Sequence, residues 1–478
     1  MSNYLKEMFI NEAKPALSRH SSSVGGVVNI IEEERPDKSM LGSFTRLGPI
    51  SFPNVESVGH RTFQNCHALT NIDFPQATSI SEYAFENCIS LTNVDFPQVT
   101  FIDTGVFYNC SSLTNVKLPL VTSIGIWVFR NCTALTSIDL PLVTSIGDDV
   151  FRNCTALTSI DLPLVTSIGN DAFNNCDALT SIDLPLVTSI GSNVFYNCDA
   201  LTSIDLPIVT SIGDNAFWHC DSLISIDLPL ATSIGDYVFN NCNALTSVNL
   251  PQATSIGDNA FVNCPSLTSI DLPIVTSIGD NAFNNCDALT NIDLPLATSI
   301  GYGAFNNCNA LTSVNLPQVT SIGDEAFENC TALTSIDLPL VTSIGAEAFH
   351  ECDALTKVDF PLVTSIDTGA FLDCSSLTNI DLPQVTSIGD DAFYGCSNLS
   401  TLILRTTETV CQIDVTAFLG TKILTKEGMP TGEGFVYIPT VMEPYYRAGY
   451  EPVFEQLGFA GLFDLLFRKI EDYPEICG

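Results

Sequence analysis

A strict 22-residue period dominates the sequence. Cysteine recurs at this step from Cys66 to Cys396, phenylalanine from Phe63 to Phe393 and proline from Pro53 to Pro383. No insertion interrupts the period between residues 53 and 404. A period of this length, with apolar residues at fixed offsets, is typical of a solenoid in which each turn covers the apolar side of its neighbours.

One unit shows how the first half of a turn is expected to fold. Leu135, Ile138 and Leu140 are predicted to face inward in a short strand. Ser137 and Asp139 then face outward, because side chains alternate between the two faces of a strand. The proline that follows has no N–H for the strand ladder, so it should end the strand.

The second half of the unit offers another extended piece, Val143–Gly147, with a turn at the glycine. Asp148 is expected to cap a short helical turn that carries Phe151 and Cys154 inward. Connections between parallel strands favour right-handed coiling. The predicted fold class is therefore an α/β repeat. It is a right-handed solenoid of about sixteen 22-residue units, with a short parallel strand per unit and a cap at both ends.

The N-terminal region is expected to lie outside the regular array. Residues 1–39 are predicted to form an arm with a short helix at Tyr4–Lys14 and a Ser/Gly hinge at Ser21–Gly26. This arm is either an attachment or oligomerisation element, or a disordered leader. Residues 40–52 fit a degenerate half-repeat, which would cap the open end of the solenoid.

The solenoid proper is assigned to residues 53–404 and a C-terminal cap to residues 405–478. Phe435–Pro439 is expected to form a last strand, and Glu443–Asp472 has a helical pattern with apolar residues available to cover the open end. The alternative for this helical segment is a docking helix for a partner.

The motif LTSIDLP followed by VTSIGDxAFxNCxxL resembles the BspA-like family of leucine-rich repeats, over about three quarters of the chain. The tail, with TLILR at 401–405, FVYIP at 435–439 and IEDYPEICG at 470–478, resembles tails that follow such arrays in gut-bacterial and prophage proteins. The resemblance implies a leucine-rich-repeat solenoid and surface adhesion or recognition of proteins and cells. It does not imply catalysis.

The formal net charge of −37 argues against nucleic acid or an anionic membrane as a partner, because both require basic patches. No apolar run approaches the ~20 residues of a transmembrane segment. The N-terminus also lacks the apolar region of a usual secretory signal. Three locations stay open: the cell surface by a non-classical route, a phage particle, or the cytoplasm.

The cysteine column is interpreted as a ladder of buried thiols, because stacked parallel side chains point the same way instead of toward each other. No CxxC motif or histidine-rich cluster is present, so no metal site is predicted. The asparagine that usually precedes each cysteine is expected to bond turn backbone groups.

Aspartate recurs on the outward strand face, and neighbouring carboxylates should repel each other. One interpretation is that the acidic face keeps a flat, repetitive sheet soluble and unpaired. The other is a surface for Ca²⁺ or a cationic partner, although no known calcium-loop motif is present. The central members of this candidate surface are Asp139, Asp161, Asp183, Asp205 and Asp227.

The position after each phenylalanine varies most between units. Between residues 108 and 218 this column is rich in aromatic and arginine side chains, the types that dominate binding hot spots. Neutral drift at an exposed position is the alternative. The candidate ligand-binding stripe, with one tryptophan from the nearby turn, consists of Tyr108, Trp127, Arg130, Arg152, Tyr196 and Trp218.

No catalytic residue, cofactor motif or nucleotide-binding loop is recognisable. The leading hypothesis is a non-enzymatic scaffold for adhesion or recognition, with a protein or glycan ligand on a cell surface. One alternative is a phage or prophage structural or receptor-binding protein, and another is an intracellular assembly scaffold. The oligomeric state is left open.

Overall fold

The computed structural model describes residues 21–24, 27–30, 50–414, 416–426, 428–456 and 461–473. The chain divides into two compact units. The first comprises Met1–Ala231 with Asn241–Asn243, and the second comprises Thr232–Asn240 with Ala244–Gly478. Each unit is a parallel-strand solenoid built from the same 22-residue turn, as predicted.

Every turn of the array contributes two short strands, which we call the first and the second strand of the turn. The first strands of the first unit are Ile50–Ser51, Asn71–Asp73, Asn93–Asp95, Asn115–Lys117, Ser137–Asp139, Ser159–Asp161, Ser181–Asp183, Ser203–Asp205 and Ser225–Asp227. Those of the second unit are Ser247–Asn249, Ser269–Asp271, Asn291–Asp293, Ser313–Asn315, Ser335–Asp337, Lys357–Asp359, Asn379–Leu382 and Thr401–Leu404.

The second strands are shorter and also run parallel to their copies within each unit. In the first unit they are Val55–Val58, Ser79–Ile80, Phe101–Ile102, Ser123–Ile124, Ser145–Ile146, Ser167–Ile168, Ser189–Ile190 and Ser211–Ile212. In the second unit they are Ser233–Ile234, Ser255–Ile256, Ser277–Ile278, Ser299–Ile300, Ser321–Ile322, Ser343–Ile344, Ser365–Ile366, Ser387–Ile388 and Gln412–Ile413.

The alternation predicted for the first strand is confirmed. Ile138 is 5% exposed, whereas Ser137 and Asp139 on either side of it are exposed. Register between turns follows the sequence period, so that Asp139 pairs with Asp161. Each column of the sequence therefore becomes a row of equivalent positions along each unit.

The helical turn predicted around Phe151 is wrong, because residues 50–414 contain strands and turns but no helix. Phe151 and Cys154 do point inward and are fully buried. The segment passes through two left-handed residues, Asp149 at φ 55° and Asn153 at φ 61°, which a helix cannot contain. Asp148 does not cap a helix, since its Oδ1 accepts a hydrogen bond from the backbone N–H one period later.

The buried columns stack in register. The Phe129 and Phe151 rings lie 5.4 Å apart and are tilted by only 7°. The Cys154 thiol donates to the Phe129 carbonyl oxygen at 3.1 Å. Burial raises the pKa of this thiol to about 12. From Cys88 to Cys396 the cysteine column is a row of buried thiols that donate to backbone carbonyl oxygens.

The asparagine column uses its side chains differently from the prediction. Asn153 Nδ2 donates to Asn131 Oδ1 at 2.7 Å, so the amides bond each other along the row instead of bonding turn backbone. Both residues adopt a left-handed backbone, which asparagine tolerates better than most residues.

The described part of the N-terminal arm forms strands where a hinge was expected at Ser21–Gly26. Ser21–Val24 pairs antiparallel with Val27–Ile30, which in turn runs parallel to Val55–Val58. The predicted helix at Tyr4–Lys14 lies outside the described residues.

The C-terminal region is more broken than the helix predicted for Glu443–Asp472. It contains helices α1 (Glu443–Gln456) and α2 (Leu462–Leu466), with 3₁₀ helices at Thr440–Met442 and Ile470–Asp472. The predicted strand is present as Phe435–Ile438, which pairs with Thr401–Leu404 and with a further strand, Phe467–Lys469. Neither α1 nor α2 is long and apolar enough to cross a bilayer.

Candidate binding surfaces

The aspartate ladder is an exposed row on the first strands of the first unit. We use this name for Asp139, Asp161, Asp183, Asp205 and Asp227. Each member is paired in register with the next, one strand spacing away. Among the described residues, Asp139, Asp161, Asp183 and Asp205 form no ion pair with a basic side chain.

The ladder carries an electrostatic cost. Two carboxylates one strand spacing of ~4.8 Å apart repel by about 0.9 kcal/mol in water, and by more where the local dielectric constant is lower. Few cations are available to offset this, because residues 51–398 contain 37 acidic and 5 basic residues. At the N-terminal side of the ladder, Lys117 interrupts the row and lies 3.5 Å from Asp95. A bound cation would relieve the same repulsion elsewhere along the row.

In most turns of the first unit, an exposed leucine stands three residues after the position of the ladder aspartate, and these leucines form a row. We call it the leucine ridge, and its members are 39–45% exposed. They occupy the turn between the two strands, next to the proline that ends the first strand. Ile208 continues the column and is half-buried. The leucine ridge consists of Leu120, Leu142, Leu164, Leu186 and Leu230.

Sequence reasoning missed the leucine ridge, although a signal was present. The same column carries glutamine in other turns, at Gln76, Gln98 and Gln252, so burial does not require an apolar residue there. Successive exposed leucines therefore form an apolar row that the core does not explain. Exposed apolar rows of this kind are candidates for interaction surfaces.

The arginines of the predicted stripe are engaged within the first unit. Arg130 Nη1 and Arg152 Nη1 each lie 3.1 Å from Asp149 Oδ1, and Arg152 Nη1 also lies 3.1 Å from Asp171 Oδ1. Trp127 Nε1 donates to Asp149 Oδ2 at 3.1 Å. The structure thus brings three predicted site residues together around one carboxylate, where they also hold neighbouring turns.

The remaining stripe residues do not join that cluster. Tyr196 and Trp218 meet edge to face with ring centroids 5.3 Å apart, and His219 stacks on Trp218 at 6.0 Å. Tyr108 is half-buried, as are the other stripe residues. The column is therefore not simply an exposed position. The stripe stays a prediction as a ligand site.

A third cluster lies in the second unit and was not predicted. Glu328, Glu347 and His350 bring one ligand atom each within 4.8 Å of the others. Glu328 and His350 are copies of the same column one period apart, and Glu347 is three residues before the histidine. The expectation of no metal site was based on the absence of CxxC and histidine-rich motifs in the sequence. Such motifs do not reveal side chains that are brought together only by the stacking of turns.

The chain was compared with known families and proteins. The family model described as "BspA type Leucine rich repeat region (6 copies)" matches the chain over five overlapping ranges: residues 42–158, 144–254, 210–331, 254–375 and 320–430. A comparison with curated proteins gave no match.

Solved structures of bacterial leucine-rich-repeat proteins resemble the chain. A leucine-rich repeat protein from Bacteroides ovatus is 28% identical with a TM-score of 0.56, over 82% of this chain and 96% of that one. A leucine rich cell surface protein from Faecalibacterium prausnitzii is 24% identical with a TM-score of 0.36, over 71% of this chain and 94% of that one. The Bacteroides ovatus structure agrees with the fold described above.

Proposed function

Because the chain belongs to the BspA-type leucine-rich-repeat family, we propose that it is a non-enzymatic recognition scaffold whose partner is a protein. The proposed binding face is the aspartate ladder together with the leucine ridge. One observation carries this proposal: a row of exposed carboxylates runs beside a row of exposed leucines. Within the part of the chain that the structure describes, Asp139, Asp161, Asp183 and Asp205 form no ion pair with a basic side chain.

The chemistry of this face defines the partner. A segment with Lys or Arg on one side and apolar residues on the other would relieve the carboxylate repulsion and cover the leucines. Neutral glycans supply no positive charge for the ladder, so they fit this face less well. Since the same pair of rows recurs in successive turns, several copies of a short motif could be engaged at once, with a gain in avidity.

The chain itself supplies native-like substitutions for a test. Asparagine occupies the ladder column at Asn249 and Asn315, and glutamine occupies the ridge column at Gln76 and Gln98. The ladder variant D161N/D183N/D205N removes three carboxylate charges from the aspartate ladder. The ridge variant L142Q/L164Q/L186Q removes three leucines from the leucine ridge. Both triple variants should fold like the parent chain.

The control for charge is E56Q/E408Q/E433Q, which removes the same number of negative charges from exposed residues outside the ladder. The probes are two labelled peptides of equal positive charge, one with Leu and Lys and the other with Ser and Lys. Binding is measured at two salt concentrations, because screening weakens exposed charge pairs.

We expect the Leu/Lys peptide to bind more tightly to the parent chain, and the ladder variant to lose about tenfold in affinity for it. The ridge variant should bind both peptides equally. The control variant should keep the parent affinity. An equal loss of affinity in the ladder and control variants would mean that the peptide responds only to the net charge of the chain, which would overturn the proposed face.

The stripe is tested in the same assay. R130A/R152A/W218A should leave binding of the Leu/Lys peptide unchanged if the ladder and ridge form the site. A loss confined to this variant would move the site to the stripe.

The cell-surface setting is a further part of the proposal. Antibody detection on protease-treated intact cells, lysate and purified virions distinguishes it from the phage-particle and intracellular hypotheses. Loss of signal from intact cells supports the surface setting. Signal in virions, or protection in intact cells, contradicts it.

A further inference from the structure

We propose that Glu328, Glu347 and His350 form a binding site for a divalent transition metal of the zinc class. The three side chains come from two successive turns of the second unit. This site does not depend on the aspartate ladder or the leucine ridge, which lie on other columns and in the first unit.

The distances from the His350 nitrogen to the two carboxylate oxygens are close to those that a metal ion imposes, and all three ligand atoms lie within 4.8 Å of one another. His350 Nδ1 lies 3.2 Å from Glu328 Oε1 and 3.7 Å from Glu347 Oε2. Tetrahedral ligands at about 2.0–2.1 Å from zinc lie about 3.4 Å from one another. Small side-chain movements would therefore bring all three atoms onto one ion.

Other side chains hold the ligands in place. Asn306 Nδ2 donates to the second carboxylate oxygen of Glu328 at 2.6 Å, which leaves Oε1 directed toward the imidazole. On the opposite side of the ring, Glu351 Oε1 lies 3.6 Å from His350 Nε2. A carboxylate beside the second ring nitrogen is the usual outer partner of a metal-bound histidine, because it fixes the tautomer that leaves the other nitrogen free to ligate.

The local charge also favours a cation. Three glutamates contact one imidazole: Glu328, Glu347 and Glu351. Glu328 and His350 are each only 18% exposed, so water screens their charges incompletely. A protonated imidazole alone offsets one of these charges, whereas a divalent ion offsets two.

The ligand types select the metal. One nitrogen and two carboxylate oxygens suit zinc and related transition metals, and three protein ligands leave a position open for water or a further ligand. Calcium prefers six to eight oxygen ligands, so it fits poorly here. The neighbouring thiols of Cys330 and Cys352 do not compete, because both are fully buried and donate to the backbone carbonyl oxygens of Phe305 and Phe327.

The test measures binding of Zn²⁺ to the full chain by titration calorimetry, with Ca²⁺ as the comparison ion. Asparagine is native to the histidine column at Asn284 and Asn306, and to the Glu347 column at Asn259 and Asn281. H350N and E347N therefore introduce residues that other turns already carry. The matched control is H219N, since His219 stands in a column that is otherwise mostly asparagine and lies 3.8 Å from Asp221.

We expect a saturable Zn²⁺ site in the parent chain and in H219N, together with a rise in melting temperature on adding Zn²⁺. H350N and E347N should each lose that site and the associated rise. Unchanged Zn²⁺ binding in H350N would overturn the proposal. The absence of a saturable site in the parent chain would also overturn it, and so would equal affinity for Ca²⁺.

Discussion

The carboxylate of Asp148 accepts a hydrogen bond at 2.8 Å from the backbone N–H of Asn170, the equivalent position one turn later. The same bond joins Asp258 to Asp280 in the second unit. The side chain thus links neighbouring turns instead of capping a local element. Because each link depends on close stacking, the residues around it have little spare room.

Gly169 is the clearest case of this lack of room. A Cβ atom added there would lie 2.3 Å from Asp148 Oδ1 and 2.6 Å from the Asp148 backbone nitrogen. We expect Gly169→Ala to lower the free energy of unfolding by about 1–3 kcal/mol, because the backbone must shift to make space. Urea denaturation followed by circular dichroism measures the change.

The control for this substitution is Gly449→Ala in α1, where an added Cβ meets nothing within 4 Å. Alanine favours the helix relative to glycine, so this variant should be neutral or more stable by up to about 1 kcal/mol. Equal effects of the two substitutions would contradict the argument from close stacking.

The phenylalanine row should dominate the stability of the first unit. Phe173 is fully buried between Phe151 at 5.3 Å and Phe195 at 5.5 Å. We expect Phe173→Ala to cost about 3–5 kcal/mol, because the cavity cannot close while the rings on both sides stay fixed. Denaturant midpoints of the two proteins measure the loss.

Phe101 provides the contrast, since it is 46% exposed at a column where most other turns carry serine. Phe101→Ser should change the free energy of unfolding by no more than about 0.5 kcal/mol. A loss at Phe101 as large as that at Phe173 would show that burial in the row is not the cause.

The repeated core was predictable because each inward position carries an apolar residue in one unit after another of the same sequence. Ile138 and its copies could be assigned to the inner face from alternation alone, and the structure buries all of them except Val314 and Val358, which are half-buried. Contacts between columns were harder to predict. From the sequence, an aspartate after a glycine is as compatible with a helix cap as with a link between turns. Only the stacking of turns at ~4.8 Å places Asp148 beside the backbone N–H of Asn170, one period later.

The candidate sites show the same limit. Arg130 and Asp149 are 19 residues apart, so their ion pair follows from an offset of three residues between neighbouring columns. No pattern within a single column reveals this contact. The same applies to Glu347 and His350, whose cluster with Glu328 depends on two adjacent turns.

The buried thiols should make stability sensitive to alkaline pH. Burial raises the pKa of Cys154 and Cys308 from 9.0 to about 12. The folded chain then holds these protons more tightly than the unfolded chain does. The corresponding stability is complete below pH 9 and is lost as the pH rises from 9 toward 12.

This prediction is measured by urea denaturation between pH 7 and pH 11. C154A/C308A should show a shallower loss of stability above pH 9 than the parent chain, because two titrating groups are removed. In native protein at pH 8, Ellman's reagent should react with far fewer than the 18 cysteines that become accessible in denaturant. Identical pH slopes for the variant and the parent chain would refute this role of the thiols.

The acidic pair Asp177 and Asp199 should affect the stability of the chain at acidic to neutral pH, in contrast to the thiols, which act at alkaline pH. Desolvation raises the pKa of Asp177, and the negative charge of Asp199 in the next turn raises it further. Desolvation likewise raises the pKa of Asp199, with a smaller contribution from Asp221. The folded chain therefore holds these protons more tightly. The associated stability is present below the ordinary aspartate pKa and is lost as the pH rises through the raised values.

Asp177→Asn should consequently stabilise the chain at pH 7 and have no such effect at pH 3, where the carboxyl group of the parent chain is protonated. Asparagine is native to this column at Asn243 and Asn309, so the substitution introduces no unfamiliar side chain. The gain of D177N/D199N should be smaller than the sum of the two single gains, because either change alone already removes their mutual repulsion. Denaturation of the four proteins at both pH values measures this coupling. A gain at pH 3 equal to that at pH 7 would mean that packing, and not charge, separates the variants.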